Sequence, residues 1–554
     1  MNNPFETRMI HSLVKVFPDE ELHEPAQSGG AMLLNEVFSY QVAYRAERLM
    51  PVVKVGVESK LADFITVRSV GLVPSELPNY HDHDEDVLRT SPGLYPDPLL
   101  PLADGGTLRG YPGQWRSVWV AIDPKGQAGP GVYPIIIRFE GDSGDILAEE
   151  RFELEIIPAQ LPKQQLLHTE WFHADCLATQ YRTEAFGERH WELLEAYIQA
   201  AADHGINMLL TPLFTPPLDT EVGGERPTVQ LVDVKVTGEN EYRFGFGRLK
   251  RWVDLCLKCG IEYFEFSHLF TQWGARHAPK IIAEADGKTK RIFGWETDAF
   301  GEEYRQFLNQ LLPQLVSWIR ENGLEGRSYF HISDEPTLDQ LESYRIAQGM
   351  VEGHLSGFPI IDALSDYDFY EKGLVQIPVP ANDHIEPFLE NGVTPLWTYY
   401  CCSQYKKVSN RFFCMPSVRN RMLGYQLYKY DAAGFLHWGF NFWYSQYSKR
   451  VIDPFRVTDA GGGFPSGDSY LVYPGEHGPV SSIRFEVLRE ALQDLRALRL
   501  LEEICGRDAV LETLDEGLEE PLTFSCYPRE AEWILSKREW MHGKIKEHAL
   551  LGKG

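Results

Sequence analysis

Between residues 166 and 503 the chain alternates eight short apolar runs with eight helical patterns, and few architectures accommodate that rhythm. The runs are 166–172, 206–213, 261–270, 328–333, 359–365, 374–379, 394–402 and 434–443. Helices are expected near 188–204, 247–259, 301–322, 337–355, 368–372, 382–391, 417–430 and 481–503. Eight strand–helix units predict a (β/α)8 barrel with insertions. A doubly wound open sheet is the alternative, but it has no need of eight units.

The first part of the chain keeps a different rhythm. Runs at 51–57, 64–73, 115–122, 132–139 and 151–157 are rich in Val, Ile, Phe and Trp. Turns such as Asp123-Pro124-Lys125-Gly126 and Gly141-Asp142-Ser143-Gly144 separate them, which predicts a β-sandwich. Pro158-Ala159-Gln160-Leu161-Pro162 reads as a linker. The expected α/β chain is thus a β-sandwich (1–160), a barrel (161–503) and a helical C-terminal extension (504–554). At 554 residues it is too long for a single core.

Charge narrows the partners. The chain has 53 basic and 80 acidic residues, a net charge of -27. That argues against nucleic acid or an anionic membrane, either of which needs a basic face. The one basic cluster, Lys288-Thr289-Lys290-Arg291, reads as the arm of a solvated hairpin. Eight cysteines suit a reducing compartment. Cys256 and Cys259 lie in a helical pattern and read as buried thiols, as do Cys401 and Cys402 in a strand. The N-terminus has no leader pattern, so a cytoplasmic protein is expected. No zinc-type His-Glu-x-x-His spacing occurs, and Gly461-Gly462-Gly463 lacks the helix start of a phosphate cradle. Neither metal nor cofactor is expected. The sequence leaves the oligomeric state open.

The fourth run ends Phe330-His331-Ile332-Ser333-Asp334-Glu335-Pro336. Two adjacent acids before a helix can be caps, favoured by the helix dipole and its free N–H groups. They can equally be a working acid pair, because barrel sites form at C-terminal strand ends. Pro336 suits the first helical position, with Leu338, Leu341 and Tyr344 opening the next stripe. Other strand ends carry His268 and Trp273, Asp366 and Tyr367, Trp397 and Tyr399, and Trp438, Asn441 and Trp443. Aromatic faces with polar handles suit sugar rings. Any one of these aromatics can instead be core packing, and His268 a satisfied histidine under a loop.

Sugar hydrolysis generally needs two carboxylates. The seventh run, 394–402, reads Thr-Pro-Leu-Trp-Thr-Tyr-Tyr-Cys-Cys and offers none, so Asp334 is the obvious partner of Glu335. Adjacent acids suit a plan in which the substrate's own 2-acetamido oxygen attacks the anomeric carbon. One acid then protonates the leaving group, and its neighbour orients the acetamido N–H.

The strand 330–336 resembles the catalytic strand of glycoside hydrolase family 123, the β-N-acetylgalactosaminidases, and of the related domain of unknown function 4091. Phe266-Ser267-His268, Trp273-Gly274, 293–297, 434–438, Asn441-Phe442-Trp443 and the 467–475 block are similar too. The resemblance covers roughly 160–500. It implies a retaining, exo-acting β-N-acetylhexosaminidase with substrate-assisted catalysis. Glu335 is then the general acid/base and Asp334 the acetamido-orienting group. Tyr367 or Tyr399 is a candidate donor to the acetamido oxygen. Trp397, Trp438 and Trp443 are candidate walls for the sugar, and His268 and Asn441 candidate hydroxyl ligands. The substrate is a small glycoside or oligosaccharide. The alternatives are another glycosidase, pairing Glu335 with Asp366 or Asp383, and a non-catalytic carbohydrate-binding protein.

Overall fold

The computed structural model describes residues 4–551, which form two compact units. One comprises the chain up to Gln164, Tyr405–Tyr430 and everything from Val480; the other comprises Gln165–Gln404 and Asp431–Pro479. Residues 405–430 and 480–503, counted above with the barrel, therefore cluster with the N-terminal region. Among the described residues no helix is long and apolar enough to cross a membrane.

The first unit contains two five-stranded sheets. One is ordered Phe5–His11, Phe38–Ala46, Trp115–Ile122, Ile65–Ser75, Gly93–Pro101, all antiparallel. The other is ordered Gly29–Leu33, Ile146–Ile157, Gly131–Gly141, Met50–Glu58, Thr107–Gly110. Their shared core buries Phe5, Val42, Val118, Val120, Ile135, Ile137 and Leu154. Tyr40 stacks on Phe152 within it at 4.2 Å. Alternation drives this packing, since every second side chain of a strand meets one face. Five of these strands, Phe5–His11, Gly29–Leu33, Phe38–Ala46, Gly93–Pro101 and Thr107–Gly110, escaped the sequence reading because polar, glycine or proline residues break up their apolar runs.

Helices Ser417–Lys429 and Ile483–Cys505 also belong to this unit. Gly424 lets them close up: a Cβ there would lie 2.0 Å from the Ala491 carbonyl oxygen. Arg421 on the first helix forks onto Asp494 (2.7 Å) and reaches Glu490 (2.8 Å) on the second. Ser482 caps the longer helix by accepting from the Phe485 N–H at 3.1 Å.

The second unit carries the eight parallel strands, numbered one to eight in chain order. They are Leu167–Glu170, Met208–Thr211, Tyr263–Phe266, Ser328–Phe330, Ile361–Ala363, Ile377–Val379, Trp397–Tyr399 and Gly434–His437. Six form one curled sheet, ordered four, three, two, one, eight, seven; strands five and six form a separate pair. The pair meets the sheet through the single bridges Phe330–Ile360 and Ala381–Tyr399. The expected (β/α)8 barrel is thus present as curled part-barrel sheets rather than eight continuous ladders. Proline is the physical reason: Pro359, Pro378 and Pro380 flank or occupy these short strands and lack N–H donors.

Helices between the strands lie at Glu188–Asp203, Gly247–Cys259, Glu302–Glu321, Leu341–Val351, Asp368–Glu371 and Glu386–Glu390. Gly260 ends the second of these at φ 98°, a left-handed turn that glycine takes without strain. An insertion builds a four-stranded sheet, Glu241–Gly245, Asp233–Gly238, Ile281–Ala285, Lys288–Phe293. Its last hairpin holds the basic cluster on an exposed arm.

Strand packing leaves no room at Gly434, where a Cβ would sit 2.1 Å from the Trp397 ring. Gly434→Ala is therefore expected to destabilise the fold by about 1–3 kcal/mol. Gly56→Ala, where nothing lies within 4 Å, is the control and should leave the melting temperature nearly unchanged.

Candidate active site

Asp334 and Glu335 follow the fourth strand and do not cap the next helix. That role falls to Thr337, which forms a capping box with Gln340 at the start of the turn Leu338–Gln340. Pro336 accordingly precedes the cap instead of opening the helix. Freed from capping, the acid pair faces a cavity. Glu335 holds φ +42°, a left-handed conformation that costs a non-glycine residue about 1–3 kcal/mol. Its N–H donates to the Ala363 carbonyl at 3.1 Å, while the Asp334 carbonyl accepts from the Trp273 N–H at 3.1 Å. The loop after strand three and strand five itself thus clamp the strained turn.

The cavity measures about 150 Å³. Drug-sized ligands occupy roughly 300–1,000 Å³, so this space suits one sugar ring. Trp171, Leu218, Leu436, Trp438, Phe464 and Tyr399 are among its lining residues. The Tyr399 hydroxyl donates to Glu335 Oε1 at 2.7 Å. Trp438 donates its indole N–H to Asp468 Oδ2 at 2.9 Å and packs edge-on against Phe464.

Both acids are pushed above the ordinary carboxylate range. For Asp334 the causes are burial, then repulsion from Glu335, opposed by the nearby His331 cation. For Glu335 they are burial and repulsion from Asp468, opposed by the Tyr399 hydrogen bond. One proton is therefore held by the pair at a pH where isolated carboxylates have lost theirs. Asp219, on the loop after strand two, also lines the cavity. Burial raises it to about 6, against the Tyr447 N–H that donates to its Oδ2 at 2.9 Å.

Under the floor lies a buried ion network. His331 reaches Glu265 through Nε2 at 2.5 Å and Asp362 through Nδ1 at 3.1 Å. Burial alone would lower its pKa, but the bonds to Asp362 and Glu265 raise it to about 10, so it carries a proton. Trp171 Nε1 donates to the same Glu265 oxygen at 2.7 Å, and the Tyr344 hydroxyl donates to Asp362. The Ile332 N–H donates to Asp362 Oδ1 at 3.0 Å, which fixes the chain two residues before the acid pair. His268, His331 and Asp362 place ligand atoms within 4.8 Å of one another. A protonated imidazole offers no lone pair to a metal, so in this arrangement the group is an ion network.

The structure sorts the other residues expected at the site. Trp273, Tyr399 and Trp438 line the cavity. His268 lies beneath it, stacked on His331 at 4.2 Å. Trp397 fills the space over Gly434. Trp443 donates to the Val472 carbonyl at 3.2 Å and packs on Tyr197. Asn441 is spent on the His173 backbone, accepting from its N–H at 2.8 Å. Tyr367 packs against Phe388 at 5.3 Å, and Asp366 accepts the Phe369 N–H through its backbone. Asp383 accepts from Gln404 at 3.0 Å. None of these last seven lines the cavity.

Cys401 and Cys402, expected as buried core thiols, line the cavity, and its other lining residues that went unrecognised in the sequence include Asp219, Gln446, Tyr447 and Phe464. These last four stand on long loops after strands two and eight, where no periodicity marks them. Asp468 sits in the 467–475 block but carried no signal of its own. A larger cavity of about 1,100 Å³ in the first unit is lined by cations as well as anions, Arg421 and Glu490 among them.

An acid pair at the C-terminal end of a curled parallel sheet, walled by indoles, has the groups that glycoside hydrolysis requires. The family model described as "Glycoside hydrolase 123, catalytic domain" matches residues 171–501, and the chain belongs to this family. By structure it is similar to a family 123 glycoside hydrolase from Clostridium perfringens, whose study concerns glycolipid glycan hydrolysis. The TM-score is 0.76 at 15% identity, with 98% of each chain covered, a likeness of fold. A family 5 mannosidase from Rhizomucor miehei matches at TM-score 0.33 and 11% identity, covering 64% of this chain and 97% of its own. No curated protein matches the sequence significantly.

Two substitutions should move the pair's titration in opposite directions. Tyr399→Phe removes the bond that favours the Glu335 anion, so its pKa rises and the basic limb of kcat/KM moves to higher pH. Asp468→Asn removes a repulsion and moves the same limb to lower pH. pH profiles of the two variants beside wild type check both.

Proposed function

We propose that the protein is a retaining, exo-acting β-N-acetylhexosaminidase, acting on terminal N-acetylgalactosamine through the substrate's own acetamido group. The observation that carries this reading is at strand seven. Where a direct displacement needs a carboxylate nucleophile, strand seven brings the hydroxyl of Tyr399 to 2.7 Å from Glu335. The nucleophile then has to come from elsewhere, and a 2-acetamido oxygen is a substrate group positioned to supply it.

In the first step the acetamido oxygen bonds to the anomeric carbon as the glycosidic C–O bond breaks. Glu335 gives the shared proton to the departing oxygen. Asp334 accepts the acetamido N–H and balances the oxazolinium charge. Water then attacks the anomeric carbon, Glu335 takes its proton, and the acetamido group is restored. Tyr399 rather than Tyr367 is the donor proposed for the acetamido oxygen, because it alone of the two lines the cavity. Trp171 and Trp438 are the proposed walls for the sugar and its methyl group. The cavity's small size supports removal of one terminal residue at a time. We also infer that the two sheets work as one closed (β/α)8 barrel, the two single bridges being its seams. The glycan substrate, free or on a glycolipid as for the Clostridium perfringens enzyme, needs no cofactor in this scheme.

Asp219, lining the cavity with a pKa near 6, favours one second reading: an inverting displacement in which it activates water. The stereochemistry of the first product separates the two, since acetamido participation retains the β-anomer. An aryl 2-acetamido-2-deoxy-β-galactoside is expected to be cleaved, and the aryl β-galactoside without the acetamido group is not. Equal cleavage of both would sink acetamido participation. Glu335→Gln should lower kcat on an unactivated glycoside by about 10²–10⁴.

A further inference from the structure

We propose that Cys401 and Cys402 form a dithiol site for trivalent arsenicals in the wall of the catalytic cavity. The site goes beyond the sugar reading above, since it depends only on which groups line the cavity and how they are held.

Strand seven and the turn after it bring the two sulfurs together. Tyr399, whose hydroxyl bonds Glu335, and Cys401, two residues on, share one side of the chain, as alternation requires. The chain then reverses: the Gln404 N–H donates to the Cys401 carbonyl at 3.2 Å, which closes a four-residue turn. Cys402 would point away in a continuing strand, but the turn swings it round, and both cysteines line the cavity. Their thiols hydrogen-bond to each other.

Gln404 fixes the pair. Its Oε1 accepts from the Cys401 N–H at 3.0 Å and from the Cys401 thiol at 3.3 Å, and its Nε2 donates to Asp383 at 3.0 Å. Cys402 is held more loosely. Its sulfur meets the Ser403 hydroxyl at 3.9 Å and is half-buried, whereas Cys401 is buried. One thiol is thus open to an incoming ligand, and the other lies beside it. Two donor atoms gathered before binding make the second bond an intramolecular event with a high effective concentration.

The surroundings select the ligand. Asp219, Asp334 and Glu335 line the cavity, with no lysine or arginine among its lining residues. Such a wall repels anions and gives a thiolate no cationic partner. The bond with Cys402, burial and the Glu335 and Asp468 charges all push the Cys401 thiol up, so it keeps its proton. Exchange with disulfides, which needs a thiolate, is disfavoured here. A trivalent arsenical is soft, carries no charge as its hydroxide, and takes two sulfurs at once. It reacts by condensation: each thiol proton leaves with an arsenic-bound hydroxyl as water. Two As–S bonds replace two As–O bonds, and no electron is transferred. The cavity measures about 150 Å³, so an arsenical on these thiols leaves too little space for a sugar ring.

The test uses phenylarsine oxide on the full chain, read by intact-protein mass and by hydrolysis of an aryl 2-acetamido-2-deoxy-β-galactoside. Wild type is expected to gain a two-thiol adduct and to lose activity in step with it. A small dithiol should reverse both effects, and a monothiol at the same concentration neither. Cys402→Ser and Cys401→Ser each remove one arm and should weaken arsenical binding about 10²–10⁴-fold. Cys259→Ser breaks the Cys256 and Cys259 pair on one helix and should keep both the cavity adduct and the inhibition. An unchanged adduct in both cavity variants would overturn the proposal, and so would reversal by the monothiol. An adduct that depends on both cysteines yet leaves hydrolysis untouched would put the thiols outside the working cavity, and overturns it too. A chain that cleaves no acetamidosugar removes the sugar reading alone, because the adduct masses of wild type and variants still decide the dithiol site.

Discussion

A protonated histidine between two buried carboxylates sets the geometry on which the site depends. His331 stands three residues before Asp334 and is fastened on both ring nitrogens, to Glu265 of strand three and to Asp362 of strand five. Burying a charge is expensive unless it is matched and hydrogen-bonded. Here every member of the network has a partner from a different strand, so the strands cannot slide without stranding a charge. The His331 cation also tempers the rise in Asp334's pKa. The floor thus fixes both where the acids stand and how firmly they hold their proton.

Above that floor the same logic runs in the opposite sense. The acid pair has no basic side chain among the residues that line its cavity, and Asp219 and Asp468 add to the negative field. Burial and repulsion raise the pair, while a single hydroxyl, that of Tyr399, pulls Glu335 back. In the proposed scheme Glu335 gives up a proton and later takes one back, a task for which a group so poised is suited. The left-handed backbones at Asp219, Trp273, Glu335 and Tyr447 cluster around this one cavity. Strain gathered at one place is a common mark of a site that the rest of the fold holds in position.

Much of the architecture was legible from periodicity. The eight apolar runs and their helices recur within a few residues of the elements found, because buried parallel strands read as continuous apolar stretches. The sandwich was legible as a class, but five of its strands were hidden because polar, glycine or proline residues break up their apolar runs. The sheet's division into six and two strands was not foreseen, although Pro359, Pro378 and Pro380 mark the place. At the site, Asp334 and Glu335 stood out because two adjacent acids are rare at an apolar strand's end. Trp273, Tyr399 and Trp438 were named alongside Trp397, Trp443 and Asn441, and nothing local tells the two groups apart. Side chains alternate in direction along a strand, and which direction meets the cavity depends on the neighbouring strands.

The sequence by itself determined the mixed α/β class, the adjacent acids at the end of strand four and the absence of an acid on strand seven, because these are properties of residue order and local pattern. Tertiary structure alone decided that Thr337 and not the acid pair caps the helix. It alone brought Asp219 and Tyr447, 228 residues apart, to one hydrogen bond at the cavity mouth. It also raised the pair's affinity for its proton. Capping, long-range pairing and desolvation all depend on what surrounds a side chain in space, and that is settled only when the strands have packed.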